Sequence, residues 1–214
     1  MEKLTIYGAG GFGREVLTLI NDINKVDNKY DVLGFYDDGH SAGEEVNGYK
    51  ILGGIDALNS VSESVSVVMA IGTPGIKRRI LEKIINPNVK YPTIIHPSVM
   101  IGDEKYVSIG QGCIICGGTI ITTDIIINDF VILNLSCTVG HDTVIGRYSA
   151  FMPSVNISGE VKIGEGVYVG TGAKIINQLS IGSDTIIGAG AVVAKDIPSS
   201  CTAVGVPAKV IKYH

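Results

Sequence analysis

The sequence predicts a small parallel α/β domain followed by a parallel β-helix, and three observations carry that prediction. Fifteen six-residue steps running from Ile109 to Val193 each begin with a bulky apolar residue, without a break in register. Four residues after each of them, Leu179 excepted, stands a small or β-branched residue, a series that starts Cys113, Thr119, Ile125 and ends Ala191, Ile197. The first 92 residues lack this period and instead alternate apolar runs with helical patterns. A fixed short period is the signature of a solenoid, in which each turn buries its apolar face on its neighbours.

The N-terminal elements follow in order. Leu4–Gly8 is an apolar run that ends in Gly8-Ala9-Gly10-Gly11-Phe12-Gly13, and residues 14–20 then have helical spacing. Val32–Tyr36 reads as a second strand closing on Asp37 and Asp38. Val65–Ile71 reads as a third, leading into Gly72-Thr73-Pro74-Gly75 and a helix over Ile76–Ile85 with Lys77, Arg78 and Arg79 on its polar side. Buried strands alternating with helices imply a parallel sheet.

The hexads begin at Ile95 and Ile101, and two extra residues before Ile109 predict a small bulge or loop over 103–107. Three hexads make one triangular coil with strands of about three residues on each side, stacked at about 4.8 Å. Parallel connections are normally right-handed. A six-residue period with small corner residues marks the exception, the left-handed β-helix. Glycines following the apolar position, among them Gly110, Gly140, Gly146 and Gly164, are expected at corners that need unusual backbone angles. The organisation expected is residues 1–92 as an α/β domain, 93–198 as the β-helix, and 199–214 as a C-terminal tail.

Composition narrows the function. A net charge of −4 argues against nucleic-acid or anionic-membrane partners. No apolar run reaches the ~18 residues of a membrane span, and no basic-then-apolar leader opens the chain, so a cytoplasmic protein is expected. Cys113 and Cys116 spell C-x-x-C, but no second pair follows, and Cys113 and Cys137 occupy the small inward position. Core packing is favoured over metal binding or redox chemistry.

Beyond the repeats, the segments IYGAGGFGREV, AIGTPGIKRRI, IHPSV, LNLSCTVGHDTVIGRYS and AVGVPAKVI resemble the bacterial sugar O- and N-acyltransferases. In that family a half-Rossmann domain precedes hexapeptide repeats. The resemblance runs from Lys3 to the end and implies an acetyl-CoA-dependent transferase that works as a homotrimer without a metal. Acetyl-CoA would lie in a groove between adjacent solenoids. It implies a nucleotide-linked amino sugar of the UDP-4-amino type as acceptor, with sialic acid or another sugar hydroxyl as the close alternative. A non-catalytic sugar-binding scaffold is the non-enzymatic one. A zinc lyase on the same β-helix needs three histidines across an interface, whereas only His96 and His141 lie in the repeats.

Of four histidines, His40 lies in a polar loop, His214 ends the chain and His96 reads as structural. His141 falls outside the inward positions, at or near a corner. Asn134, six intervening residues, His141 and Asp142 match the family's catalytic segment. Taking a proton from an amine or hydroxyl during acyl transfer suits a histidine, which titrates near neutrality. Asp142 is placed to support the imidazole if the pair sits on a bend, as Gly140 permits, and Asn134 to offer a polar contact in the same pocket. One coil is eighteen residues, so Gly159 lies beneath His141, where its amide is placed to receive the oxyanion. The resemblance assigns Ala150, Gly170, Thr171, Gly188, Ala189 and Lys209 to acetyl-CoA. Where some relatives carry a second histidine, this chain has Ala150. The Gly-rich turn opening a helix suits phosphate. A dinucleotide site usually spans two mononucleotide halves, whereas about 92 residues supply one. The resemblance therefore places Gly10, Gly11 and Phe12 near a sugar diphosphate, Asp37 and Asp38 near the uridine, and Gly72 close by.

Overall fold

The computed structural model describes residues 1–214. The N-terminal domain is built from β1 (Glu2–Tyr7), α1 (Gly11–Val26), β2 (Tyr30–Tyr36), β3 (Glu45–Val46), β4 (Tyr49–Gly53), α2 (Ile55–Asn59), β5 (Val65–Met69), α3 (Pro74–Lys83) and β6 (Val89–Lys90). They form one sheet in the order β3-β4-β2-β1-β5-β6, parallel except for the β3–β4 hairpin. The three expected strands and two long helices are present. The hairpin and α2 escaped the apolar pattern because they are short and only partly buried.

From Ile94 the chain coils into a left-handed parallel β-helix whose strands are mostly two residues long, shorter than expected. Its first face runs through Ile94, Ile114, Ile132, Ala150, Tyr168 and Ile186. The second face contains Met100, Ile120, Thr138, Asn156, Lys174 and Val192. The third contains Ser108, Ile126, Val144, Lys162 and Ser180. Neighbouring coils pair eighteen residues apart, as in Thr138↔Asn156. The first coil takes twenty, as in Ile94↔Ile114, and the surplus forms a 3-10 turn at Glu104–Tyr106 closed by the Asp103 carboxylate. Each hexad's apolar residue from Ile115 to Val193 is buried in one core, with small residues such as Cys137, Val155 and Ala173 between them. Where the small residue carries a hydroxyl, it reaches a carbonyl of the next corner, as Thr143 Oγ1 does to Ser158 (3.3 Å). Buried hydroxyls are thereby satisfied.

The corners differ from expectation in an instructive way. Glycines after the apolar residue keep ordinary φ values. The left-handed conformation falls two residues later, at fourteen successive positions from Gly112 to Gly190, with φ between 54° and 73°. Nine of these are not glycine, Asp142 among them. The glycines serve close approach instead. A Cβ on Gly140 would lie 2.6 Å from the Gly159 amide nitrogen, and one on Gly164 2.5 Å from that of Ser183.

The helix α1 packs on the first face, sharing a buried cluster (Val16, Leu17, Leu19, Ile20) with Ile114, Cys116, Ile132 and Ala150. Residues 199–214 are not a detached tail. Cys201–Val204 extends the first face, Cys201 and Ala203 enter the core, and Lys209–Tyr213 turns back antiparallel. All four cysteines are buried and unpaired, and burial pushes the Cys113 and Cys137 thiols up to about 11. No helix is long and apolar enough to cross a membrane.

Lys77 is not on a polar surface. It is 1% exposed, and its Nζ donates to the Phe130 carbonyl (2.5 Å) where α3 meets the corner between third and first faces. Beside it Arg78 pairs with Asp184 (3.1 Å) and lies over the Tyr148 ring. Burial lowers the Lys77 pKa from 10.5 to about 7. The unfolded chain then binds more protons than the native one between pH 7 and about 10, so stability rises with pH across that window and is lowest below it. We expect the thermal midpoint to climb between pH 7 and 9, by at most about 1.4 kcal/mol of stability per pH unit from this one group. Lys77→Met should flatten that climb in a melting series; an unchanged slope would show that Lys77 does not titrate there.

Candidate active site

His141 and Asp142 occupy the corner between the second and third faces, following the strand Thr138–Val139. Asp142 carries the left-handed turn itself (φ 56°), which overrides strand alternation and brings its carboxylate alongside its neighbour. The bend is at Asp142, not at Gly140. Asp142 Oδ2 stands 2.8 Å from His141 Nδ1. A carboxylate only accepts, so Nδ1 carries the proton and Nε2 keeps its lone pair when the ring is neutral. That free edge lies over Gly159, where an added Cβ would sit 2.5 Å from both Cε1 and Nε2. The Gly159 carbonyl accepts from Gln178 N–H (3.1 Å), whereas its own amide has no protein acceptor. A base with an exposed lone pair and an open amide thus share one corner.

Asn134 lies elsewhere. It is at the corner between the first and second faces, 4% exposed, its Oδ1 accepting from Leu135 N–H (2.7 Å). Thr171 and Ala189 lie exposed at that same corner, with Gly170 and Gly188 just before them. They are one coil apart, Gly190 N–H donating to the Thr171 carbonyl (2.8 Å). Within one chain, therefore, Gly170, Thr171, Gly188, Ala189 and Asn134 share a corner that His141, Asp142 and Gly159 do not. Ala150 does not belong with them. It is 0% exposed beneath the N-terminal domain and presents no surface to a ligand. Lys209 is exposed on the returning C-terminal strand.

The N-terminal candidates converge on one edge. Gly10 to Phe12, Asp37, Asp38 and Gly72 all follow the C-terminal ends of the parallel strands β1, β2 and β5, where open α/β sheets bind ligands. No side chain caps α1, so its first amides are available, and side chains at Gly10 or Gly11 would meet nothing within 4 Å. Gly13 is needed for packing, since a Cβ there would lie 1.8 Å from the Gly8 carbonyl. Asp37 accepts from the amides of Ala9 (2.7 Å) and Gly39 (2.8 Å). Asp38 accepts from Tyr7 Oη (2.5 Å) and the Ile55 amide (2.8 Å), and burial together with that bond raises the Tyr7 pKa. Both carboxylates brace this edge.

His96, read from the sequence as structural, bonds Ser98 through Nδ1 and Asp22 of α1 through Nε2 (3.3 Å). Together with Asn134 it lines a cleft between α1 and the solenoid. The signal that would have located this cleft is the polar stripe Glu15, Thr18 and Asp22 at helical spacing.

Comparison with known proteins bears on both halves. Residues 3–84 match the PglD N-terminal domain family, and residues 160–195 match the bacterial transferase hexapeptide family (six repeats). The chain is 35% identical over 175 residues to GDP-perosamine N-acetyltransferase of Escherichia coli O157:H7, covering 82% of this chain and 78% of that protein. PerB from Caulobacter crescentus, solved in complex with CoA and GDP-perosamine, superposes with a TM-score of 0.89 at 29% identity, covering 99% of this chain and 98% of that one. The acetyltransferase domain of PglB from Neisseria gonorrhoeae FA1090, solved with acetyl coenzyme A, gives 0.86 at 31% identity over 98% and 99% of the two chains. With a PglD-type domain docked on hexapeptide coils along its whole length, this chain belongs to the bacterial sugar acyltransferase family that includes GDP-perosamine N-acetyltransferase.

Proposed function

We propose that this protein transfers the acetyl group of acetyl-CoA to the amine of a nucleoside-diphosphate amino sugar. The observation that carries the mechanism is the His141 ring, tethered by Asp142 and lying over Gly159. The amine nitrogen attacks the thioester carbonyl carbon while His141 Nε2 takes its proton. The Gly159 amide donates to the oxygen that becomes negative, an interaction whose removal typically costs about 3–4 kcal/mol. Collapse of the tetrahedral intermediate expels the CoA sulfur, which receives the proton from His141. Asp142 holds the ring's tautomer and steadies the imidazolium.

The free amides of Gly11 and Phe12 at the start of α1 receive the diphosphate. The similar enzymes from Escherichia coli and Caulobacter are named for GDP-perosamine, which favours a GDP-linked acceptor over the UDP-linked one expected from the sequence. The functional unit is a homotrimer. Because Thr171 and Ala189 occupy a different corner from His141, acetyl-CoA held along them meets the His141 of a neighbouring copy. Lys209 is the phosphate partner for the coenzyme.

The test is thiol release from acetyl-CoA with GDP- and UDP-linked 4-amino sugars and with sialic acid. Turnover is expected with a nucleotide amino sugar; turnover confined to sialic acid would replace this reading with O-acetylation. The two-copy arrangement predicts complementation. His141→Ala and Ala189→Trp should each be inactive alone, while their co-assembled mixture regains activity at sites pairing an intact histidine with an intact groove. A mixture that stays inactive would place the whole site within one chain.

A further inference from the structure

We infer that Lys77 is a proton-sensitive latch, whose buried amine holds α3 on the solenoid and so sets how tightly the acceptor's nucleotide binds. The inference rests on the nucleotide site proposed above and adds a positioning residue that lies outside it. Only Pro74 and Lys77 of α3 are buried, while Ile76 is 42% exposed. Ile80, Leu81 and Ile84 lie partly buried in a cluster shared with β5 and Phe130. The fully buried group at the solenoid contact is thus a lysine. Its Nζ donates to the Phe130 carbonyl (2.5 Å), and Arg78 pairs with Asp184 (3.1 Å) beside the stacked rings of Phe130 and Tyr148. Arg78 Nε is buried without a partner. Next to this contact a cleft of about 410 Å³ separates Thr73, Pro74 and Gly75 from Tyr168 and Ile186. The helix therefore meets the solenoid through two basic side chains at the edge of an open space.

The surroundings of the amine do not suit a charge. A charged lysine carries three N–H donors, and Lys77 meets one carbonyl. The carboxylates around this corner are taken, Asp184 by Arg78 and Asp129 by Arg147 (3.4 Å). Burial pushes the nearby Cys113 thiol up to about 11 and the Tyr91 phenol, which packs on Phe130, up to about 12, so both stay uncharged at neutral pH. An ammonium buried without a counter-ion is costly. Burial accordingly brings the Lys77 pKa down to about 7. Above that pH the amine is neutral and the contact is undisturbed. Below it, protonation favours any arrangement that returns the ammonium to water, and the adjoining cleft gives α3 room to make one.

The latch reaches the nucleotide edge through the first turn of α3. Lys77 N–H donates to the Thr73 carbonyl (3.0 Å), and Thr73 follows Gly72 in the turn after β5. A side chain at Gly72 or Gly75 would meet nothing within 4 Å, so this turn is not wedged by its surroundings and follows the helix. Moving α3 therefore moves the Gly72 turn relative to the end of β1, where Gly11 and Phe12 offer their amides to the diphosphate. The two substrates should respond differently. Thr171 and Ala189 stand at the corner between the first and second faces, whereas α3 docks at the corner between the third and first.

The experiment is calorimetry of the intact protein with GDP and with acetyl-CoA, joined to hydrogen exchange over residues 72–85. In the wild type the Kd for GDP should rise as the pH falls from about 8 to about 6, by about three- to tenfold, since one coupled proton allows at most about tenfold per pH unit. Exchange over 72–85, corrected for its intrinsic pH dependence, should quicken across the same range. Lys77→Met should remove both changes. So should Lys77→Gln, which is also uncharged but keeps a donor for the Phe130 carbonyl. The titration of GDP itself acts alike on all three proteins, so the excess in the wild type is the reading. Affinity for acetyl-CoA should vary with pH equally in wild type and variants. The inference is overturned if the uncharged variants keep the wild-type pH dependence of GDP binding, or if exchange quickens with no change in affinity. A protein whose residues 72–85 loosen on protonation but which binds no nucleotide at any pH would instead remove the proposed function.

Discussion

His141→Ala is expected to lower kcat/KM for acetyl transfer by about 10²- to 10⁴-fold, the range spanned by a positioned general base. The loss should fall on kcat, because the imidazole acts on the proton as the amine attacks and contributes little to holding either substrate. Folding should be spared, since His141 lies exposed at a corner and the core beneath it is formed by Val139 and Thr143. Steady-state rates with acetyl-CoA and the best acceptor, together with an unchanged melting temperature, would check this. A variant that kept wild-type kcat would remove His141 from the chemistry. Asp142→Asn should cost less. It keeps the turn, because asparagine tolerates the left-handed conformation, but removes the charge that steadies the imidazolium.

Gly159→Ala should be nearly as damaging to the rate without unfolding the protein. The backbone at Gly159 is not left-handed, so alanine is conformationally acceptable there. The new methyl would meet His141 Cε1 and Nε2 at 2.5 Å and Cδ2 at 2.9 Å. No pair of atoms sustains that approach, and the exposed histidine ring is the partner free to move. The ring should swing out of line with the amide, and a misplacement of about 1 Å can cost 10²-fold. The expected pattern is a kcat about 10²-fold down with KM for acetyl-CoA little changed. A structure of the variant should show the ring displaced and Asp142 in place. Full activity would mean that the His141 position seen over Gly159 is not the working one.

The repeat made much of this readable in advance. A period of six sorts inward from outward residues, and three periods return the chain to the same side of the prism. The placement of Gly159 beneath His141 therefore follows from counting, and so does that of Ala189 beside Thr171. Spacing could not show which conformation each corner takes. The left-handed turn falls on Asp142 and other non-glycine residues because the coil imposes it, while the glycines expected there answer to backbone crowding from the next coil. Lys77 was misread because an amphipathic helix has two faces, and only the docked solenoid shows which one is covered.

Asn134 and Ala150 mark the boundary most clearly. In one dimension Asn134 is a near neighbour of His141. In three dimensions it occupies the previous corner, beside α1, with an amide left unpaired. Ala150 has the small side chain of a groove residue but lies under the N-terminal domain. Hexad register is local, since it depends on side-chain size and the stacking of identical coils, and the linear order of residues already contains it. What covers a face depends on where α1 and α3 dock. That docking is set by long-range burial on the first face, through Ile114, Ile132 and Ala150, which no period along the chain records. The sequence by itself determined the coil and the corner at which His141 stands, because both follow from a local period; only the tertiary structure decided that α1 covers the face beside Asn134 and buries Ala150, because that docking rests on long-range burial.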